Sequence, residues 1–177
     1  MDIVFSEIDQ TGIIKLNRPK ALNALNLEMA KKFYDKWLEW EENNNISRVI
    51  LYGEGKHFCA GGDVKSLVLA GKKNQLKYDF FKIEYQLNYL ISQFSKEFLS
   101  IWNGVVMGGG VGLSIYGDHR LVTDNSKFAM PEASIGFFPD VGGSYFLSNL
   151  PGNIGKYVGL TGCLLYTSPS PRDTLLS

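Results

Sequence analysis

Two glycine-rich stretches and two acids that follow prolines are where this sequence could do chemistry. Met107-Gly108-Gly109-Gly110-Val111-Gly112-Leu113-Ser114 lies between a strand-like and a helix-like segment. Such a junction leaves backbone N–H groups free, and the missing side chains let a substrate oxygen come within hydrogen-bonding distance. A phosphate cradle, an oxyanion hole and mere close packing of helix on strand all remain open uses. The phosphate use is poorly served, because no Gly-Lys-Ser/Thr follows and no G-x-G-x-x-G register fits. Phe58-Cys59-Ala60-Gly61-Gly62-Asp63 follows another strand and offers a second N–H. Two donors on one carbonyl oxygen would stabilise the negative charge that acyl chemistry develops, each worth about 3 kcal/mol.

The acids stand in Met130-Pro131-Glu132 and Phe138-Pro139-Asp140, apolar settings with no adjacent Lys or Arg. That environment can raise a carboxyl pKa into the range useful for acid and base work, although a cap or a solvated loop acid would look the same. Glu84, midway along a helix-like stretch, reads by itself as an ordinary exposed acid. Cys59, between Phe and Ala, reads as a small core hydrophobe. Ser114 and Ser144 both miss the G-x-S-x-G elbow, and His57 and His119 are the only bases a serine nucleophile could use.

These residues need a scaffold, and the surrounding pattern supplies one. Ile3–Ile8 and Ile13–Leu16 read as a hairpin about Asp9-Gln10-Thr11-Gly12. A helix capped by Asn26 carries Met29, Phe33, Trp37 and Trp40 on one face and stops at Asn43–Asn45. Val49–Tyr52 is a short apolar strand. Tyr78–Phe94 is a second amphipathic helix, with Phe98–Trp102 and Val105–Met107 as strands after it. A short helix at Leu113–Tyr116, a strand at Arg120–Thr123 and helices at Gly143–Leu150 and Ile154–Leu160 complete the reading. Alternation of strand and helix argues for an α/β domain.

The chain has 177 residues, of which 45% are hydrophobic, and its 18 basic residues balance 18 acidic ones. A neutral chain has no general field for nucleic acid or anionic lipid, so neither nucleic acid nor a membrane is expected as a partner. Two cysteines in no C-x-x-C arrangement predict neither a disulfide framework nor a metal site. No apolar run approaches the length of a membrane span, and the N-terminus has no secretory or transit pattern. The chain therefore reads as cytoplasmic. Five of its 19 glycines fall within residues 104–112, which concentrates the chemistry there. Residues 163–177, with two prolines and no period, read as a tail apart from the domain at 1–162, either non-native or disordered.

Leu16-Asn17-Arg18-Pro19 with Leu22-Asn23-Ala24-Leu25, then Phe58–Asp63, Asn103-Gly104, Met107–Gly112 and Met130-Pro131-Glu132, together resemble the enoyl-CoA hydratase/isomerase (crotonase) superfamily. Within it, Phe80-Phe81, Glu84-Tyr85, Leu87-Asn88, Val106–Ser114 and above all Phe128–Gly143 resemble the 3-hydroxyisobutyryl-CoA hydrolase branch. The resemblance covers about residues 3–162 and implies a ββα spiral, with the C-terminal helices of the family missing. It implies an acyl-CoA substrate and no separate cofactor or metal. The thioester oxygen would be held by the N–H groups of Gly62 and Gly109. Lys20, Ala21 and Leu22, with Ala60, Gly61 and Asp63, would run along the substrate, Asp63 mainly as a structural group.

Hydratases of the superfamily pair two glutamates. Glu132 matches one, but the other position falls on Gly112, which argues against hydration. Resemblance to the hydrolases makes Glu132 and Asp140 the catalytic pair and sets Glu84 against a substrate hydroxyl. A short β-hydroxyacyl-CoA thioester is the expected substrate, with hydratase or isomerase activity and a non-catalytic CoA-binding role as alternatives. The family also implies the mitochondrial matrix as an alternative location, and a homo-oligomer for a full-length parent. A chain lacking the later helices is expected to turn over weakly or not at all.

Overall fold

The computed structural model describes residues 1–69 and 75–166. Strand β1 (Ile3–Ile8) turns at Asp9 and Gln10 into β2 (Thr11–Leu16), pairing antiparallel from Ile3 opposite Leu16 to Ile8 opposite Thr11. Helix α1 (Leu27–Glu42) follows, its first turn closed by the Asn26 side chain, which accepts from the Met29 N–H at 2.8 Å. β3 (Arg48–Gly53) lies parallel to β2, and α2 (Val64–Leu69) and α3 (Gln75–Ser92) come next. β4 (Glu97–Trp102), β5 (Val105–Met107) and the single turn α4 (Gly109–Gly112) form the next unit. β6 (His119–Val122), β7 (Lys127–Ala129) and a 3-10 helix at Pro131–Ile135 form another. The helices α5 (Gly143–Ser148) and α6 (Ile154–Thr161) lead to β8 (Leu165–Tyr166).

The main sheet runs β1-β2-β3-β4-β6 and the smaller one β5-β7-β8. After the opening hairpin each unit adds one parallel strand to the main sheet. The units β4-β5 and β6-β7 also give a short strand to the smaller sheet, and Cys59 bridges to Val106 for the unit before them. This stepwise rise of two strands and a helix is a ββα spiral.

The apolar stripe of α1 packs with α3 over the main sheet. Trp37 sits 4.2 Å from Phe94 and 4.9 Å from Phe98 between ring centroids, inside a cluster with Phe33, Trp40, Leu87 and Ile91. These rings bury large apolar areas and fix α3 in azimuth, which decides what its other face presents.

Three expectations change. The helix placed at Leu113–Tyr116 begins instead at Gly109, directly after β5, and Leu113–Tyr116 is turn. Four residues with a single side chain beyond hydrogen give no period from which to read a helix. α2 and β7, six and three residues long, were not expected at all. Within the segment read as a tail, Leu165–Tyr166 pairs antiparallel with Phe128 and Lys127 and Leu165 packs on the core, while 167–177 lies outside the described residues.

Candidate active site

Parallel pairing brings the two glycine stretches together. Phe58 and Cys59 donate to the carbonyls of Asn103 and Val105, and Met107 donates back to Cys59, all within 2.7–3.0 Å. The chain beyond Cys59 therefore runs beside the chain beyond Met107. A Cβ on Gly109 would lie 3.3 Å from the Gly62 nitrogen, and one on Gly61 would lie 3.3 Å from the Gly109 nitrogen. Neither the Gly62 nor the Gly109 N–H donates to any group among the described residues. Two unspent donors thus stand side by side. Gly108 makes the turn into α4 at φ 48°, and a Cβ there would come within 2.7 Å of the Glu132 carboxylate. Glycine is needed at that position both for the turn and for the approach of the acid.

Glu132 sits in the 3-10 helix, where Pro131 occupies the first position and Gly136, at φ 74°, ends the turn. Glu132 is 8% exposed, and its Oε2 has no partner among the described residues. Burial, with the nearby Asp140 charge, pushes its pKa up to about 7. Asp140 follows Pro139 on the loop into α5. Burial raises its pKa as well, against the opposing effect of the Tyr85 hydroxyl, which donates to Oδ2 at 2.7 Å. Glu84 is not the exposed acid its helix position suggested. It is 2% exposed on the side of α3 that faces α4, and a Cβ on Gly109 would collide with its carboxylate. Burial first, then the Asp140 and Glu132 charges, push its pKa up to about 8.

These groups line one cavity of about 230 Å³, together with Ala60, Gly61, Gly62, Gly108 and Gly109. Among the described residues, no Lys, Arg or His lines it. Asp140 also lines a second cavity of about 630 Å³, on the side of Tyr85, Asn88, Tyr116 and Tyr145.

The remaining expected site residues stand outside the smaller cavity. Lys20 and Ala21 lie in the 3-10 turn Pro19–Ala21, and Leu22 and Asn23 follow with φ of 50° and 56°. This loop touches the site through its backbone, where the Leu22 carbonyl accepts from Ala60 N–H at 3.0 Å. Asp63 pairs with Arg18 at 3.0 Å and accepts from Ser66 N–H at 3.2 Å, a structural setting at the start of α2.

Cys59 is fully buried, and burial pushes its thiol up to about 12, as suits a core residue. Ser114 is buried and spends its hydroxyl on the Gly110 carbonyl and the Trp102 indole. His57 accepts from Val105 N–H and His119 faces Glu97 on the surface, so neither histidine meets either serine. Sequence reasoning assigned no role to Tyr85, whose bond to Asp140 spans 55 positions in the chain.

Gly112 leaves no room for a side chain. A Cβ there would lie 2.5 Å from the Val141 Cβ and 3.0 Å from the Asn88 Oδ1, so the space is already filled. Val141 holds this place at φ 45°, a strained conformation for a β-branched residue.

The stacked ββα units with two converging N–H groups at the strand ends define the crotonase fold class. A carnitinyl-CoA dehydratase from Mycobacterium thermoresistibile superposes with a TM-score of 0.90 at 41% identity, covering 93% of this chain and 49% of that one. An enoyl-CoA hydratase from Rhodobacter sphaeroides gives 0.89 at 37%, covering 99% and 52%. Residues 11–168 match the family described as Enoyl-CoA hydratase/isomerase, and the chain belongs to that family.

Its curated relatives include the mitochondrial 3-hydroxyisobutyryl-CoA hydrolase of Danio rerio, 47% identical over 91% of this chain and 43% of the relative. That of Xenopus tropicalis is 52% identical over 85% and 40%. The small ribosomal subunit protein mS47 of Neurospora crassa is 43% identical over 93% and 33%. The chain thus spans less than half the length of these relatives.

Proposed function

We propose that this site hydrolyses a short β-hydroxyacyl-CoA thioester, 3-hydroxyisobutyryl-CoA being the preferred substrate. The observation that carries the reading is three carboxyl groups, Glu84 and Glu132 buried and Asp140 half-buried, around two free N–H donors, with the hydratase's second carboxylate excluded at Gly112 by Val141 and Asn88. Relatives named as that hydrolase, at 47% and 52% identity, support it. The small cavity suits an acyl group of a few carbons.

The Gly62 and Gly109 N–H groups accept the thioester oxygen and stabilise the charge that forms on it. Glu132, half ionised near neutral pH, either attacks the carbonyl carbon or takes a proton from the water that does. The new C–O bond forms first, and the tetrahedral adduct then expels the CoA sulfur, which takes the proton that Asp140 relays from the attacking water; where Glu132 attacks directly, the thiolate leaves first, and a water positioned by Asp140 then cleaves the acyl anhydride on Glu132, restoring the carboxylate and supplying the proton to the sulfur. Glu84, with a pKa of about 8, remains protonated at neutral pH and can donate to the substrate's β-hydroxyl. The mitochondrial names of the relatives favour the matrix over the cytosol as the working location, which imaging of the tagged protein in cells would check.

The test is CoA release from 3-hydroxyisobutyryl-CoA compared with hydration of crotonyl-CoA, each with the chain and its Glu132→Gln variant. Hydrolysis that falls at least a hundredfold in the variant supports the reading. Faster turnover of crotonyl-CoA overturns it. A non-catalytic role is the second reading, favoured by the relative named as a ribosomal subunit protein. CoA binding with thioester loss unaffected by Glu132→Gln would support that role.

A further inference from the structure

Residues 22–25 run as a short partner beside residues 60–63, the stretch that carries the Gly62 N–H. Ala60 N–H donates to the Leu22 carbonyl at 3.0 Å, Leu25 N–H to the Gly61 carbonyl at 2.8 Å, and Asp63 N–H to the Leu25 carbonyl at 2.8 Å. Leu25 and Gly62 form a parallel bridge. Because Leu25 bonds to the residues on either side of Gly62, the Gly62 N–H itself points away from Leu25. On that other side stands Gly109, where a Cβ would lie 3.3 Å from the Gly62 nitrogen. The aim of one of the two N–H donors is therefore set by the register of this short ladder.

The Arg18 side chain spans the ladder. Its Nη1 donates to the Ala24 carbonyl at 2.6 Å on one strand, and its Nη2 donates to Asp63 Oδ2 at 3.0 Å on the other. Its Nε pairs with Asp2 Oδ2 at 3.3 Å. The pair with Asp63 is largely shielded from water, the two side chains being 20% and 15% exposed. Asp63 accepts from the Ser66 N–H through its other oxygen, which fixes the carboxylate at the start of α2. The guanidinium fork thus meets three acceptors in one geometry, which the single nitrogen of a lysine cannot reproduce. The root of the side chain is held as well. Arg18 N–H donates to Oδ1 of the buried Asn23 at 2.8 Å, and Asn23 Nδ2 donates to the Glu54 and His57 carbonyls. Neither Arg18 nor Asp63 lines the smaller cavity.

We propose that Arg18 is a positioning residue for the thioester site: by clamping Ala24 to Asp63 it keeps Leu25 and Gly62 in register and aims the Gly62 N–H at the oxygen position shared with Gly109. Arg18 acts through the backbone and does not touch the reacting atoms. Its effect falls on the transition state more than on the bound substrate, because the charge on the oxygen is greatest there and a donor turned off line serves it least. The inference rests on the reading that the Gly62 and Gly109 N–H groups hold a thioester oxygen.

The probe is 3-hydroxyisobutyryl-CoA with an isotope-labelled thioester carbonyl, bound to the Glu132→Gln protein to prevent cleavage and read by difference infrared spectroscopy. With Arg18 in place the carbonyl stretch is expected to fall below that of free substrate. With Arg18→Met added it is expected to return most of the way to the free value. In the chain that keeps Glu132, kcat for CoA release is expected to fall about a hundredfold in Arg18→Met at little changed KM. Arg18→Lys, which keeps the charge but not the fork, is expected to lose about tenfold, and it reads the effect if the methionine variant does not fold. Tm is expected to fall in both variants because Asp63 loses its partner, so the carbonyl stretch and kcat decide. A variant that melts lower yet polarises the bound carbonyl fully and keeps kcat makes Arg18 a structural staple only, and overturns the proposal. A carbonyl lowered with Arg18 and not with Arg18→Met, in a chain that releases no CoA, overturns the hydrolase reading and leaves the role of Arg18 standing. A protein with Arg18 that leaves the carbonyl at its free frequency, or does not bind the thioester, overturns the assignment of the two N–H groups and this inference with it.

Discussion

Glu84→Gln is expected to stabilise the fold at alkaline pH and to leave it nearly unchanged at pH 5. Glu84 is buried against α4 beside two further carboxyl groups, and its pKa moves from the ordinary 4.5 to about 8. An acid whose folded pKa is raised contributes stability that is complete below the unfolded value and is lost as pH rises through the folded one, because only the unfolded chain releases its proton in between. The window for Glu84 is therefore pH 4.5 to about 8. At about 1.4 kcal/mol for each pH unit, the full loss is about 5 kcal/mol, a share of which belongs to its repulsion from Asp140 and Glu132.

Glutamine keeps the shape and stays neutral, so it escapes this loss. Urea melts of the chain and of Glu84→Gln at pH 5 and pH 9 measure it. Titrating groups that do not interact with Glu84 cancel in the difference between the proteins. With a slope of about 2 kcal/mol per M, the midpoint advantage of the variant is expected to widen by up to about 2 M between the two pH values. An advantage of equal size at both would show that Glu84 ionises freely in the folded protein, and the account of a protonated donor at the substrate hydroxyl would fall with it.

Two further substitutions address the neighbours of this acid. Tyr85→Phe removes the hydroxyl that donates to Asp140 and leaves burial opposed only by a backbone hydrogen bond, so the acidic limb of the kcat profile is expected to move to higher pH; an unmoved limb would mean that the bond does not influence Asp140. Gly112→Ala places a methyl 2.5 Å from the Val141 Cβ, and overpacking of that kind is expected to cost about 1–3 kcal/mol in chemical denaturation, whereas a neutral result would show that Val141 yields easily from its strained backbone.

What could be read from the sequence follows its local chemistry. The stripe Met29, Phe33, Trp37, Trp40 behind the Asn26 cap became α1 with that cap in place. β5 fell on the three residues expected. The glycine pairs and the proline-flanked acids were visible as types and spacings, and their convergence came only from the resemblance to a family. Glu84 was misread from its residues alone because the partners that bury it, the glycine turn and the 3-10 helix, lie elsewhere in the chain. Tyr85 and Asn88 were hidden for the same reason. Each looks like a surface residue of an amphipathic helix until Asp140 and Val141 fold against it. The position of α4 could not be read because three of its four residues lack the side chains that carry periodicity.

The two free N–H groups depend on Phe58 and Cys59 lying in register beside Val105–Met107, a pairing that closes a loop of nearly fifty residues. Such non-local contacts are entropically costly and form slowly compared with helices. No fragment of secondary structure can hold this pair of dipoles in advance. On the proposed function the site would therefore act as an internal report on folding: any change that slips the second sheet by one residue would switch off binding of the thioester oxygen even if every helix survived, and recovery of that binding would be among the last signals in a refolding experiment.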